Sequence, residues 1–243
     1  DRNPLALLAP DKCPENLIGV NQKVRLLADT GVDAVLVLRF DEDLASLAAD
    51  EFASLVLVDA LAAEAVLVGA DFRFGRGGVG TAQTLTAFGL SHGFEVDVVH
   101  DVRAADRGRR VSSTWIRELL SSGDVVGARK LLGRDHSVVG EVVHGLKRGR
   151  EIGYPTANLS DDLEGFVPAD GVYAGWLIDQ ADASGLRPGI RYPAAISIGT
   201  NPTFDDVASR QVEAYVLDET DLDLYGRQIE LRFVERIRGM GAF

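Results

Sequence analysis

At residues 137–144 the sequence reads Ser137-Val138-Val139-Gly140-Glu141-Val142-Val143-His144, a β-rich stretch without helical periodicity. Similar stretches follow it, separated by Gly, Pro and Asp turns: Gly171–Ile178, Pro193–Ile198, Gln211–Leu217 and Ile229–Phe233. Short strands with turns between them are typical of antiparallel sheets. The pattern predicts an antiparallel β-barrel that starts near residue 133.

The part of the chain before residue 133 has a different pattern, in which helices alternate with short apolar runs. Helical spacing of apolar residues covers about 20–30, 43–58 and 81–92, and the apolar runs are Ala34–Phe40, Ala65–Gly69 and Glu95–Val99. This alternation predicts a parallel sheet covered by helices. We therefore expect an α/β domain over residues 1–132 and a β-barrel domain over residues 133–243.

The composition restricts the partners and the compartment. The formal net charge is −12, from 37 acidic and 25 basic side chains, so the overall field repels nucleic acids and anionic membrane surfaces. Cys13 is the single cysteine, which excludes an intramolecular disulfide. With no long apolar run and no signal peptide, the chain is expected to be a soluble cytoplasmic protein that binds small molecules. Homo-oligomerisation is left open.

Because the overall field is negative, a phosphate site needs local positive charge or backbone N–H donors. One segment of the chain provides both. Glycines alternate with basic residues between residues 145 and 153: Gly145, Lys147, Arg148, Gly149, Arg150 and Gly153. Glycines let the backbone approach phosphates, and the cations and N–H groups between them can bind phosphate oxygens. The segment predicts a phosphate-binding flap, although a solvated Gly-rich hairpin has the same composition.

Two neutral oxygen ligands follow this segment. Pro155 favours extended geometry at its neighbours, so Thr156 and Asn158 are expected to point to the same side. A hydroxyl and an amide carbonyl are ligands that Mg²⁺ accepts when nucleotide phosphates and water complete its octahedron. A turn in which both side chains bind their own backbone is the alternative.

The third candidate is a carboxylate within a predicted strand. Glu213 shares a strand face with Tyr215 and Leu217. It is either exposed at a rim or sheltered in a pocket that raises its pKa. A sheltered carboxylate can accept the proton of an attacking alcohol, which makes Glu213 the candidate catalytic base of a metal-assisted phosphotransferase.

Several ordered motifs of the C-terminal half resemble the riboflavin kinase family. They are Gly145–Leu159 with its Pro-Thr-Ala-Asn, Gly171–Gly175, Ile198–Phe204, Val212-Glu213, Asp223–Gly226 and Phe233–Phe243. The resemblance implies a six-stranded Greek-key barrel and ATP and riboflavin as substrates. It also implies that Thr156 and Asn158 reach the Mg²⁺–nucleotide and that Glu213 activates the ribityl 5′-hydroxyl. Asn201 and Thr203 are further candidates for contact with the flavin, although Pro202-Thr203 could equally form a plain turn.

The N-terminal half resembles the FMN adenylyltransferase module that precedes the kinase in bifunctional bacterial FAD synthetases. Two motifs carry this resemblance, Gly69–Gly75 with Asp71 and Phe72, and Val111–Arg117. Ser112, Ser113 and Thr114 at a helix N-terminus can donate to a polyphosphate, and Arg117 lies one turn further on. The same residues could equally be capping residues beside a surface arginine.

Two features of this half qualify the resemblance. The stretch Gly75–Gly80 matches G-x-G-x-x-G, but it does not directly follow its strand, so we do not expect a dinucleotide site. The superfamily's His-x-Gly-His motif is absent from this chain, and Asp1–Pro10 resembles a segment downstream of it. We therefore expect the first part of the module to lie outside this chain, and the chain as it stands to be unable to make FAD.

The leading hypothesis is a bifunctional enzyme that makes FMN from riboflavin and, in the complete protein, FAD from FMN with release of pyrophosphate. A kinase with a structural N-terminal domain is one alternative. A flavin-binding regulatory protein without turnover is another.

Overall fold

The computed structural model describes residues 1–104, 108–144, 156–179, 189–200, 210–219 and 222–240. The helices are α1 (Leu5–Leu8), α2 (Val20–Ala28), α3 (Glu42–Ser46), α4 (Ala49–Phe52), a π-helix (Ala53–Ala60), α5 (Ala82–His92), α6 (Ser113–Ser122) and α7 (Val125–Leu132). The strands are β1 (Ala65–Gly69), β2 (Arg73–Phe74), β3 (Gly80–Thr81), β4 (Glu95–Val99), β5 (His136–Val143), β6 (Thr156–Leu159), β7 (Gly171–Asp179), β8 (Ile190–Thr200), β9 (Arg210–Val216) and β10 (Gln228–Arg238).

Contacts divide the chain into two compact units. The first comprises Asp1–Pro14 and Val35–Val111, and the second comprises Glu15–Ala34 and Ser112–Phe243. Helices α2, α6 and α7 thus belong to the same unit as the C-terminal strands. A division of the sequence at residues 132 and 133 stays a prediction about where the two modules meet in the chain.

The first unit contains the predicted parallel α/β arrangement. Strands β1 and β4 pair in parallel, with Val66 opposite Val96. Their core is built from apolar side chains of the strands and of the surrounding helices: Ala53, Val68, Phe74, Ala82, Leu85 and Phe94. The Thr81 side chain caps α5, and Gly93 ends this helix in the left-handed region that favours glycine.

One predicted element of this unit is wrong. Residues 34–40 do not form a strand, and Leu36 and Val37 are 57% and 46% exposed. The backbone of this segment bonds to the start of the chain instead, since the Leu38 carbonyl accepts from the Asp1 amino group and the Phe40 N–H donates to the Asp1 carboxylate. An apolar run becomes a strand only where a neighbouring strand satisfies its backbone, which the sequence pattern does not reveal.

The helix predicted over 43–58 is also interrupted. Leu47, with φ −59° and ψ 134°, ends α3. At the start of α4, the Glu51 carboxylate accepts a hydrogen bond from the Ala48 N–H. Asp41 caps α3 by accepting from the Leu44 N–H. Local side-chain caps thus divide one apolar periodic stretch into shorter helices.

The second unit contains a closed barrel of six strands in the order β10-β5-β6-β9-β8-β7. All neighbouring pairs are antiparallel, which confirms the predicted fold class. Strand β6 pairs with β9 rather than with β7, as in a Greek key. Alternate residues point inward and form one buried cluster that includes Val138, Leu177, Ile196, Ala214, Leu231 and Phe233.

Helices α6 and α7 add to the core of the barrel. Their apolar faces place Ile116, Leu120, Val125 and Ala128 in the same buried cluster. Each helix has a side-chain cap at its N-terminus and ends at a left-handed glycine, Gly123 or Gly133.

Helix α2 is attached to the barrel through polar contacts. Gln22 is buried, and its Nε2 donates to the Ser137 carbonyl at 3.2 Å. Glu164, in the segment between β6 and β7, accepts from Asn21 Nδ2 at 2.7 Å and from the Gln22 N–H at 3.3 Å. Phe166 donates its N–H to the Leu17 carbonyl, so the segment before α2 also bonds to this loop.

Candidate active site

The pairing of β6 with β9 brings three candidate residues together on the outer surface of the barrel. Asn158 lies opposite Glu213, and Thr156 lies opposite Tyr215. Their neighbours in the strands, Ala157 and Ala214, are buried in the barrel core. Because side chains alternate along a strand, Thr156, Asn158 and Glu213 share the outward face, where each is half-buried.

Hydrogen bonds connect these three side chains. Asn158 Nδ2 lies 3.2 Å from the Thr156 carbonyl oxygen and 3.3 Å from Thr156 Oγ1. Thr156 also interacts with the Glu213 carboxylate, and this interaction lowers the pKa of Glu213. The Asn158 amide therefore orients Thr156, which in turn interacts with Glu213.

The environment of Glu213 changes its acidity. Burial raises the pKa of Glu213 above the ordinary value for a glutamate, and the hydrogen bond from Thr156 opposes part of that rise. The carboxylate is thus sheltered rather than fully solvated. A carboxylate with a raised pKa is a better proton acceptor, which is the property a general base needs.

The donor set suits a hard divalent cation only when a ligand supplies further oxygens. No group of three or more His, Cys, Asp or Glu side chains that could hold a metal occurs among the described residues. Thr156 Oγ1 and Asn158 Oδ1 are neutral oxygens beside a carboxylate, and Mg²⁺ sites in phosphotransferases take most of their ligands from phosphates and water. The residues present therefore fit Mg²⁺ that arrives with a nucleotide.

Several predicted residues lie outside the described part of the chain. They are the flap residues Gly145, Lys147, Arg148, Gly149, Arg150 and Gly153, and the flavin candidates Asn201 and Thr203. The residue before the flap is described: the ring of His144 lies 4.0 Å from the ring of Tyr225, centroid to centroid. In the sequence, Thr156 is three residues after Gly153, the last of these flap residues.

The helix-terminal candidates of the second unit are found at the start of α6. Ser112 Oγ accepts from the Trp115 N–H at 3.3 Å, so this serine caps the helix. Ser113 and Thr114 are exposed. Arg117 Nε donates to the Glu15 carbonyl at 2.6 Å, which leaves the terminal nitrogens of the guanidinium for other partners.

The candidates of the first unit are part of an ion-pair cluster. Asp71 accepts from Arg110 Nη2 at 2.6 Å, and Arg110 Nε lies 3.1 Å from Asp101. The bond from Arg110 lowers the pKa of the Asp71 carboxyl. Phe72 stacks on Phe74 with ring centroids 5.4 Å apart. Arg110 was missed by sequence reasoning, because nothing in the spacing pairs it with a residue 39 positions away.

A second residue missed from sequence lies beside Glu213. Strand β8 flanks β9 on the side away from β6, and its Ser197 is opposite Glu213. A serine in an apolar strand gave no signal, since only strand register places it next to a carboxylate. A separate cleft of about 290 Å³ is lined by Glu15, Asp161, Leu163, Gly165, Val167, Arg210 and Val212, and does not include this row.

Comparisons with known proteins agree on both halves of the chain. A family model for riboflavin kinase matches residues 132–243, and one for FAD synthetase matches residues 1–115. The chain is 38% identical over 240 residues to the bifunctional riboflavin kinase/FMN adenylyltransferase of Escherichia coli strain K12, an alignment that covers 99% of this chain and 73% of that protein. The protein of the same name from Pseudomonas fluorescens is 34% identical over 235 residues, with 97% and 71% covered.

A solved structure is also similar over the whole chain. It is described as a macrolide-efflux protein from Streptococcus pneumoniae, and it aligns with a TM-score of 0.80 at 32% identity, covering 100% of this chain and 75% of that one. Within the described residues of the present chain, none of the helices has the length and apolar character needed to cross a membrane.

Proposed function

This chain belongs to the bifunctional riboflavin kinase/FMN adenylyltransferase family, and we propose that it phosphorylates riboflavin to FMN at the barrel and that, in the complete protein, FMN is adenylylated to FAD through the N-terminal module. The observation that carries the kinase proposal is the hydrogen-bonded set Thr156, Asn158 and Glu213 on one outward face. The matched riboflavin kinase segment contains all three residues.

The proposed kinase step is a direct phosphoryl transfer. The oxygen of the ribityl 5′-hydroxyl forms a bond to the γ-phosphorus of ATP, and the bond from that phosphorus to the β,γ-bridging oxygen breaks. The electron pair of the broken bond leaves on ADP, and the hydroxyl proton passes to the Glu213 carboxylate. The raised pKa of Glu213 supports this assignment, since the carboxylate gains proton affinity where burial disfavours its charge.

We assign Thr156 and Asn158 to the nucleotide and its cation. When bound, Mg²⁺ reduces the negative charge of the transferring phosphates. Thr156 would serve a second purpose, because its hydroxyl also interacts with the Glu213 carboxylate and so connects the nucleotide ligands with the base. The glycines and cations of the flap, residues 145–153, are proposed to cover the phosphates.

The adenylyl transfer is proposed for the module matched by residues 1–115. In it a phosphate oxygen of FMN forms a bond to the α-phosphorus of ATP, and pyrophosphate leaves. Ser112, at the N-terminus of α6, and the exposed Ser113 and Thr114 are the proposed polyphosphate donors. The assignment of Asp71 and Phe72 to the adenylyltransferase activity stays a prediction from the resemblance.

The test is one incubation of the chain with riboflavin, ATP and Mg²⁺, followed by chromatographic separation of the flavins. FMN together with ADP supports the kinase, and FAD with pyrophosphate supports the adenylyltransferase. FMN alone is the result expected for this chain as it stands, and it supports the kinase. Riboflavin recovered unchanged, with binding intact by fluorescence quenching, would instead identify a flavin-binding protein without turnover.

A further inference from the structure

Ser197 occupies a defined position in the row of side chains that contains Glu213. It lies opposite Glu213 in the pairing of β8 with β9, while Asn158 lies opposite Glu213 in the pairing of β6 with β9. Its strand neighbours Ile196 and Ile198 are fully buried in the barrel core. Ser197 therefore points outward, and the three side chains form one row across three adjacent strands.

The spacing of a sheet places the Ser197 hydroxyl within reach of anything that binds at the Glu213 carboxylate. Side chains directly opposite each other on antiparallel strands have Cβ atoms about 4.5–5.5 Å apart. The Glu213 carboxylate takes its hydrogen bond from Thr156, on the β6 side. Among the described residues Ser197 has no hydrogen-bonding partner, so its hydroxyl remains available to a ligand.

The row has a direction, and the direction distinguishes the two substrates. Thr156 and Asn158 on β6 are the proposed nucleotide side, so the leaving group lies on that flank of Glu213. In an in-line displacement the attacking and leaving oxygens are on opposite sides of the phosphorus. The acceptor alcohol then approaches Glu213 from the other flank, which is the β8 side where Ser197 lies.

We propose that Ser197 is a positioning residue for the acceptor, and that its hydroxyl hydrogen-bonds the polyol chain next to the hydroxyl that Glu213 deprotonates. This rests on the proposed kinase function. A serine hydroxyl both donates and accepts, so it can match an alcohol whose own hydrogen changes direction as Glu213 takes the proton.

The surface beyond Ser197 is consistent with a flavin acceptor. Gly199 lies two residues further along the same face, and a Cβ at this position would come within 2.8 Å of Met240 Cε. The thioether of Met240 therefore packs directly over the strand at this point. A polarizable, apolar side chain next to the polyol site is a suitable surface for a flat aromatic ring.

The test compares Ser197→Ala and Ser197→Thr with the unchanged chain in steady-state kinase assays. Loss of one hydrogen bond to a neutral group should raise KM for riboflavin roughly threefold to tenfold in Ser197→Ala, with KM for ATP unchanged. Ser197→Thr keeps the hydroxyl in a strand and should restore most of the loss. Ser122→Ala removes a hydroxyl of the same size at the end of α6, outside the row, and should not change either constant.

Three outcomes would overturn the proposal while leaving the kinase assignment intact. They are an unchanged KM for riboflavin in Ser197→Ala, an equal rise of both KM values, and a failure of Ser197→Thr to recover. A lower thermal stability of Ser197→Ala with unchanged constants would likewise make the residue structural. If the unchanged chain forms no FMN, the proposed function itself fails, so the two failures are distinguishable.

Discussion

Glu213 lies opposite Asn158 in the pairing of β6 with β9, and the backbone of the sheet fixes this relationship. The proposed base and the proposed cation ligand thus lie on two directly paired strands. The register of that pairing sets their relative position. Register also determines that both point outward, since a shift by one residue would turn each into the barrel core.

The first prediction concerns the base. Glu213→Gln preserves the shape of the side chain and removes its ability to take a proton at neutral pH. We expect kcat for FMN formation to fall roughly 10²- to 10⁴-fold, the usual contribution of general base catalysis. The binding of riboflavin, measured by quenching of its fluorescence, should change little.

Glu141→Gln is the matched control for this variant. Glu141 is exposed on strand β5 of the same barrel, which β6 separates from β9. The same chemical change at this site should leave kcat within about twofold, because surface substitutions are usually near neutral. Equal activity of the Glu213→Gln variant and the unchanged chain would exclude a base function for Glu213.

The second prediction concerns the bond from Thr156 to Glu213. That hydrogen bond stabilises the ionised carboxylate, so it opposes the rise that burial imposes on the pKa of Glu213. Thr156→Val keeps the β-branched shape and removes the donor, and the pKa of Glu213 should move further upward. Carbon-detected NMR titration of the carboxyl carbon, without nucleotide or metal, measures this directly. A downward movement would show that the hydroxyl does not donate to the carboxylate.

The third prediction is a pH dependence of stability that comes from His136. The imidazole is buried at the start of β5, and its Nε2 lies 2.6 Å from the Phe166 carbonyl oxygen, so Nε2 carries the proton of the neutral ring. Burial lowers the pKa of His136 to about 4, the bond to Phe166 opposes this, and Arg134 adds to the lowering.

The sign follows from proton binding in the two states. An imidazole in the unfolded chain titrates at about 6.5, so below that pH the unfolded state binds a proton that the folded state excludes. The free energy of unfolding should fall as the pH decreases from 6.5 to 4, by about 3 kcal/mol through this group. The difference between the unchanged chain and His136→Gln, measured by urea unfolding across this range, should decrease correspondingly. A difference independent of pH would contradict the burial of a neutral imidazole.

The sequence was sufficient for the barrel and for its three outward candidates because both depend on alternation. Alternation separates Val212, Ala214 and Val216 from Glu213, and the structure shows that the face with these three residues is the inward one. The sequence could not distinguish an exposed Glu213 from a sheltered one. That difference depends on which strands lie beside β9.

Long-range pairing explains the other differences. The apolar run at residues 34–40 has the composition of a buried strand, but a strand also needs a partner, and partners are not encoded locally. Ser197 and Arg110 were missed for the same reason. Each is an ordinary residue whose position matters only because a distant carboxylate, Glu213 or Asp71, lies beside it.

The last prediction concerns the attachment of α2 to the barrel. Gln22 is buried and its side chain serves two partners: Nε2 donates to the Ser137 carbonyl at 3.2 Å, and Oε1 accepts from the Gly19 N–H at 2.8 Å. Gln22→Ala leaves the buried Ser137 carbonyl and the half-buried Gly19 N–H without these bonds, which should lower the free energy of unfolding by about 1–3 kcal/mol. Trp115 and Trp176 are the two tryptophans of the chain, and both are in this unit, so urea unfolding followed by tryptophan fluorescence reports on it.

Asn21→Ala provides the control, because it removes a neighbouring but exposed bond of the same helix. Asn21 Nδ2 donates to Glu164 at 2.7 Å in an exposed position, where water can replace the lost partner. Its effect should stay below about 1 kcal/mol. If the two variants destabilise equally, burial of Gln22 has no role in the attachment. If Gln22→Ala leaves the unfolding midpoint unchanged, the hydrogen bonds of Gln22 do not contribute to the stability of this unit.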